Sequence, residues 1–242
     1  VKQSANSSGR IFSSNQLSVG YSGVHVQILP TGIVETFYGD GLGFTPSFRR
    51  SCYSNNAHVF SDWVHLAFVV TSATNMEIYV NGVNVGTNYV GSGGSIYQNP
   101  SGTGSIGRLW TNNGWSYYTG LIDDFTIWNK ALSATEIRNL ACRNTNSAAF
   151  QLLGYYNLDT QVGGQVFDSS PNAHHGMLVN GASLTTSGAA IGDTSYYSYS
   201  TSSVESFTQT LVAGHQVEVA AISPNTKGVQ VYEVFSAPNS TS

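Results

Sequence analysis

Charge is scarce in this sequence. Lys and Arg number 9 and Asp and Glu 13 among 242 residues, 9% in all, against roughly 25% in an average soluble protein. Solubility therefore has to come from Ser, Thr, Asn and Gly, a balance that suits an all-β extracellular protein better than a cytosolic enzyme. The formal net charge is −4 and no basic run occurs, so neither nucleic acid nor an anionic membrane is an expected partner. No apolar run reaches the ~18 residues of a membrane-spanning helix. Cysteine is nearly absent: Cys52 and Cys142 are the two. In an exported chain an even number admits one disulfide, Cys52–Cys142, closing a long loop; two buried free thiols, or partners in sequence outside this stretch, are the other readings. No C-x-x-C or Cys/His spacing suggests zinc. The sequence opens at Val1 with neither Met nor a signal peptide, and "VKQSANSSGRIFSS" reads as the middle of a fold. A fragment of a longer chain is expected.

What is present is core material, 40% hydrophobic and 12% aromatic, enough for one large β domain or a medium and a small one. Strand signals dominate. "GVHVQILPTGIVETFYGDG" holds two alternating runs joined at Pro30-Thr31-Gly32, a hairpin. "WVHLAFVV" places Val64, Leu66, Phe68 and Val70 on a core face, with Trp63, His65 and Ala67 opposite. In "MEIYVNGVNVG", Asn81-Gly82 supplies the two positive-φ residues of a type I′ turn. "YVGSGGSIYQNPSGTGS" is loop-like, "SIGRLW" returns to strand, and "TNNGWSYYTG" reads as an aromatic-rich loop. "LIDDFTIWN" reads as a strand with Leu121, Asp123, Phe125 and Ile127 on one face and Ile122, Asp124, Thr126 and Trp128 on the other.

One helix is predicted. Ser133 is its N-cap and Glu136, three residues on, completes a capping box. Leu132 and Ile137 hold the positions of a hydrophobic staple. At about two turns it is too short to stand alone, so it must dock on the sheet, where it is expected to cap one end of the sandwich. After the polar linker "RNTNSAA", "LLGYYNLD", "GQVFDSSPNAHHGMLVNG" and "ASLTTSGAAIGD" carry further strands. "SYYSYS", "SFTQTLV", "HQVEVAAIS" and "GVQVYEVF" follow as four strand candidates of a small β module over 188–242.

"DWVHLAFVV…MEIYVNGVNVG…GSIGRLW…YTGLIDDFTIWNKALSATEIRNLAC" closely resembles the second half of a laminin-G-like, concanavalin A-like jelly-roll domain. Five motifs recur in the family's order: a W-x-H-x-A strand, a Y-x-N-G hairpin, an I-G strand, a G-x-I-D-D strand and a closing L-S-x-x-E-I helix. "LLGYYNLDTQVGGQVFDSSPNAHHGMLVNG" resembles the opening segment of the same kind of domain. Residues 188–242 resemble, more weakly, a module found beside such domains in large bacterial surface proteins. The fold expectation is therefore all-β: a jelly-roll sandwich over 1–187, with 1–142 its main part and 150–187 the opening-like segment, then a small, incomplete β module.

The order departs from the family, because the opening-like segment follows the closing helix. A fragment of a tandem array, a sandwich completed by 152–187, or strand exchange between copies would each explain it. In every case a sandwich lacking an opening strand exposes unpaired backbone groups, and such an edge recruits a strand. Other copies or neighbouring repeats are thus the expected partners.

The resemblance implies a structural calcium where the opening loop meets the G-x-I-D-D strand. Asp123, Asp124 and Asp168 would supply carboxylates and Asn172 an amide oxygen. The alternative is that these side chains cap turns and bond backbone N–H groups. Trp110, Trp115, Tyr117 and Tyr118 cluster around "TNNG" and could stack on sugar rings, or fold back onto the core. His174-His175 is a weak metal signal, since adjacent strand residues point oppositely. Glucanases of this jelly roll carry E-x-D-x-(x)-E on one strand; here Glu35, Glu77, Glu136, Glu205, Glu218 and Glu233 are scattered. H-E-x-x-H, G-x-S-x-G and P-loop motifs are absent too, so no catalytic residue is assigned. The leading expectation is a secreted or surface-displayed bacterial adhesion or structural module, a repeating unit of a long surface protein. The alternative is a calcium-dependent lectin that binds glycans.

Overall fold

The computed structural model describes residues 1–3, 8–14, 20–72, 75–86, 88–100, 102–111, 114–141, 145–185 and 189, and the backbone of 216–222 and 230–236. Alternation of apolar and polar residues makes strands along almost all of it. In chain order these are β1 (Gly9–Ser13), β2 (Ser22–Ile28), β3 (Val34–Asp40), β4 (Arg49–Tyr53), β5 (Leu66–Ser72), β6 (Asn75–Val80), β7 (Val83–Asn84), β8 (Asn88–Gly91), β9 (Ser105–Ile106), β10 (Arg108–Thr111) and β11 (Gly114–Tyr117). Then come β12 (Phe125–Trp128), α1 (Ala134–Leu140), β13 (Leu152–Tyr156), β14 (Gln161–Val162), β15 (Gln165–Val166), β16 (Gly176–Met177), β17 (Gln216–Ile222) and β18 (Gln230–Ser236).

One layer is a six-stranded antiparallel sheet in the order β8-β4-β3-β2-β1-β9. Facing it lie the three-stranded sheet β5-β6-β7 and the pair β12-β13. The core forms between them from Val26, Ile28, Val34 and Tyr38 on one side and Met76, Ile78 and Val80 on the other. Phe125 of β12 rests on Phe12 of β1, ring centroids 5.2 Å apart. This is the all-β sandwich that the alternation predicts.

Local turn chemistry explains the connections. Gly32, at φ +83°, closes the β2–β3 hairpin where a Cβ would meet the His58 carbonyl. Asn81 (φ 50°) and Gly82 (φ 75°) make the type I′ turn between β6 and β7. Val64, Leu66, Phe68 and Val70 face the core, while Ala67 and Val69 face outward under α1.

The helix has the predicted box, with the Ser133 hydroxyl accepting from Glu136 N–H and the Glu136 carboxylate accepting from Ser133 N–H. Its site differs from the expectation. Ile137 is fully buried among Leu132, Val69 and Tyr79, so α1 covers the outward face of β5–β6 and does not cap an end of the sandwich. The reason is that Ala67, Val69 and Tyr79 make that sheet apolar on both faces.

Two further readings need correction. Most of the described part of "TNNGWSYYTG" is strand: β10 and β11 pair antiparallel with Trp110 opposite Trp115. The "LIDDFTIWN" strand is interrupted, because Asp124 adopts left-handed backbone at φ 47°. That reversal lets Ile122 pack on the core on one side of Asp124 while Phe125 packs on Phe12 on the other. Of the alternatives left open for the cysteines, Cys52 stands as a buried free thiol. It sits fully buried in β4 and donates to the Met76 carbonyl at 3.7 Å. Burial pushes its pKa up to about 11, and the β5–β6 sheet stands between it and α1. Cys142 lies outside the described residues.

The segment after the helix joins the sandwich. β13 pairs with β12, Phe125 opposite Tyr156 and Ile127 opposite Gly154. β14, β15 and β16 form a small meander beyond it. Of the expected C-terminal module, "HQVEVAAIS" and "GVQVYEVF" appear as the hairpin β17–β18; "SYYSYS" and "SFTQTLV" lie outside the described residues. No described helix is long and apolar enough to cross a membrane.

Candidate functional site

The six-stranded sheet has an outward face that is unusually rich in hydrogen-bonding side chains. Register builds it, since residues paired across strands share a face. Val24, Val26 and Ile28 of β2 point to the core, which turns His25 and Gln27 outward. On β3, Val34, Thr36 and Tyr38 alternate with outward Glu35 and Phe37. A bulge in β1 lets both Ile11 and Phe12 reach the core, and leaves Arg10 opposite Gln27 and Ser13 opposite His25. Two transverse rows result: Arg10–Gln27–Glu35–Tyr53 and Ser13–His25–Phe37–Ser51.

These polar groups are buried and incompletely satisfied. Gln27 donates its amide to one Glu35 carboxylate oxygen. Gln27 Oε1, the second Glu35 oxygen Oε1, His25 Nδ1, Ser51 Oγ and Arg49 Nε are buried without a hydrogen-bond partner in this structure. Arg49 lies over the rings of Tyr21 and Phe37, 5.1 and 5.3 Å from their centroids. His25 stacks on Phe37 at 4.7 Å. Its Nε2 donates to the Ser22 carbonyl at 2.5 Å, so the neutral ring turns a bare acceptor, Nδ1, toward the site. Burial, reinforced by the Arg10 and Arg49 charges and opposed by the bond to Ser22, lowers the His25 pKa to about 4. Burial also lowers that of Arg10, while the Glu35 charge raises it. Tyr53 is raised by burial first, then by the charge of the Glu35 carboxylate and by hydrogen bonding to it, and lowered by the neighbouring Ser51 hydroxyl, so its phenol is the group standing nearest the Glu35 and Ser51 oxygens.

Native proteins leave few buried polar atoms without partners. Five such atoms on one sheet face, three acceptors, one donor and one hydroxyl, suit a ligand that offers both donors and acceptors. The sequence does hold a signal for this site, although its alternation was read for the core alone. "GVHVQI" and "VETFY" place His25, Gln27 and Glu35 opposite the apolar set, on the face of the sheet turned away from the core.

The aromatic group meets a mixed fate. Trp115 and Tyr117 are 41% and 45% exposed, and the Arg108 guanidinium lies 4.2 Å over the Trp115 ring. Ser116, between them, accepts from Arg10 Nε at 3.3 Å. Trp115 and Tyr117 therefore point away from the polar rows. Trp110 stands opposite Trp115 in the backbone register. Tyr118 is structural: it packs against the core and its hydroxyl donates to the Lys2 carbonyl at 2.9 Å.

The acid cluster is held together by Tyr155. Its phenol donates to Asp124 Oδ1 at 2.8 Å and its N–H to Asp168 Oδ1 at 2.8 Å. Asp168 also accepts from Ser170 N–H, the Ser170 hydroxyl and His174 N–H at 2.8, 2.9 and 2.9 Å. Burial alone would raise its carboxyl, but these donors outweigh burial and hold it below the usual carboxylate range. Asn172 turns its NH2 to the Leu152 and Leu153 carbonyls. Asp123 Oδ1 accepts from Asp124 N–H, and His175 Nδ1 accepts from Asp168 N–H. The residues thus do not fit a calcium site: Asp168 is saturated by donors, Asn172 presents its NH2 to carbonyls, and no group of three or more His, Cys, Asp or Glu could hold a metal among the described residues. Asp123 and Asp168 instead bond backbone N–H groups, as the turn-capping alternative has it.

The chain belongs to the concanavalin A-like lectin/glucanases superfamily, of laminin G type, whose family model matches residues 2–138. No curated protein matches it. Among solved structures it is similar to a Bacteroides ovatus protein whose carbohydrate binding is inferred, at 18% identity and a TM-score of 0.52, covering 74% of this chain and 53% of that one. The chain thus spans about half the length of that neighbour. It is also matched to residues 221–444 of an S-layer domain-containing protein from Clostridium thermocellum, at 23% identity and a TM-score of 0.28, covering 58% of this chain and 66% of that one.

Proposed function

We propose that this domain is a non-catalytic extracellular adhesion module that attaches to carbohydrate through the outward face of its six-stranded sheet. The observation that carries the reading is the set of partnerless polar atoms on Gln27, Glu35, His25, Ser51 and Arg49. A sugar hydroxyl both donates and accepts, so one polyhydroxylated ligand can answer acceptors and donors together. Arg10, Arg49 and Tyr53 lie on the same face and are half-buried, so a ligand contacts them first and reaches these atoms where they move aside. Glycoside hydrolysis needs two carboxyl groups astride the scissile bond. Among the described strands of this sheet, Glu35 is the one outward carboxylate, which favours binding over cleavage. Low charge and abundant Ser, Thr, Asn and Gly support display outside the cell.

Glycan-array screening of the native chain, followed by calorimetry on the best ligand, tests this. Binding is expected, and Arg10→Ala or Tyr53→Phe should weaken it about tenfold, the effect of one hydrogen bond to a charged or buried group. Trp115→Ala should leave it nearly unchanged. A blank array, or binding indifferent to both sheet substitutions, refutes the proposal. Loss in Trp115→Ala alone would move the site to the hairpin.

A further inference from the structure

Charge is unevenly placed on the outward face of the six-stranded sheet. Glu35 and Gly39 stand four residues apart on β3, with Tyr53 and Arg49 opposite them on β4. At about 3.4 Å per residue, the backbone at Arg49 lies roughly 14 Å along the strands from that at Glu35. Arg10 stands in the Glu35 row, and the Glu35 charge favours its ionised form. One end of the face therefore holds a cation and a carboxylate that compensate each other. At the other end, Asp40 follows Gly39 but alternates to the opposite face and accepts from Leu42 N–H at 3.0 Å. Among the described residues the one ion pair is Lys130–Glu136, so Arg49 has no carboxylate partner.

The Arg49 guanidinium also leaves its donors unused. It lies over the rings of Tyr21 and Phe37, and Tyr21 lies on Gly39, where a Cβ would meet the Tyr21 carbonyl at 2.1 Å. Aromatic faces hold a cation without engaging its N–H groups. Arg49 Nε is buried and has no hydrogen-bond partner. A half-buried cation without a counter-charge is unfavourable, since arginines taken out of water are as a rule paired. Nε and the adjacent Nη form a planar fork that receives an oxyanion through two parallel N–H···O bonds.

We infer that the carbohydrate held on this face is acidic, and that the fork of Arg49 receives its anionic group, a carboxylate or a sulfate ester. This rests on the sheet-face reading proposed above and adds the charge class of the ligand. Position divides the work. Sugar hydroxyls donate to the bare acceptors His25 Nδ1 and Gln27 Oε1, while the anion sits at the Arg49 end, away from Glu35. The chain as a whole carries −4, so attraction for a polyanion has to be local.

Calorimetry on the native chain tests this with soluble polymers in matched pairs. One pair is a uronate polysaccharide and the same polymer with its carboxyl groups reduced to alcohols. The other is sulfated dextran and dextran. At least one acidic polymer should bind roughly tenfold or more tighter than its neutral counterpart, the worth of a charge-assisted hydrogen bond. The pair that shows the preference identifies the anion. Arg49→Gln should erase the preference while leaving the weaker binding of the neutral polymer and the thermal midpoint near those of the parent. Arg108→Gln removes a cation stacked on Trp115, away from these rows, and should leave the preference intact. Neutral polymers bound as tightly as acidic ones, a preference that survives Arg49→Gln, or one lost equally in both variants overturns the inference. If Arg10→Ala still weakens binding in those cases, the sheet-face reading stands without it. Binding by none of the polymers or arrayed glycans overturns both.

Discussion

Asp168 ties the segment after the helix to the sandwich, and its removal weighs that tie directly. The side chain is 4% exposed and takes four donors, of which Tyr155 N–H, Ser170 N–H and the Ser170 hydroxyl are buried. Asp168→Ala leaves two buried backbone donors bare at about 1–3 kcal/mol each and forfeits charge-assisted bonds besides, so a loss of about 3–5 kcal/mol is expected. In a chain of this size that lowers Tm by roughly 10 °C. Urea denaturation followed by Trp fluorescence reads it. Asp168→Asn keeps the shape but turns an NH2 toward one set of donors, and should lose about half as much. A pH series gives the sign independently. The carboxyl is held below its ordinary value, so its contribution is full above the unfolded pKa of roughly 4 and fades as pH falls through the folded one. Asp168→Asn should lack that acid limb. An alanine variant within ~0.5 kcal/mol of the parent would refute the reasoning, because β13 would then not be anchored through this carboxylate.

Ile137→Ala should cost about 2–4 kcal/mol by denaturation, since this fully buried side chain docks a helix of seven residues; a change confined to local helix content would count against it. His25 has a folded pKa near 4, below its unfolded value of about 6.5, so stability is complete above pH 6.5 and falls by up to roughly 3 kcal/mol on descending to pH 4. His25→Gln should flatten that limb of a denaturation-versus-pH curve. Millimolar calcium should leave Tm unchanged, because the Asp168 oxygens are taken by donors; a midpoint that climbs with calcium would show a site that this geometry does not provide.

Much of the fold was legible because its signals are local. The alternation of "WVHLAFVV", the Asn81-Gly82 turn and the Ser133–Glu136 box each depend on neighbours within a few residues, and each appears as read. The misreadings have a common cause. The reversal at Asp124 and the docking of α1 on the outer side of β5–β6 both depend on segments distant in sequence.

The amino-acid sequence by itself determined an all-β sandwich with one capped helix, because side-chain period and turn chemistry act over a few residues. Through the family resemblance it implied that Asp124 and Asp168 would come together, but not that Tyr155 would join them, nor that Arg10, Gln27, Glu35 and Tyr53 would line up across strands. Those follow from register and layer packing, which bring residues tens of positions apart into hydrogen-bonding distance. Only the folded chain sets them.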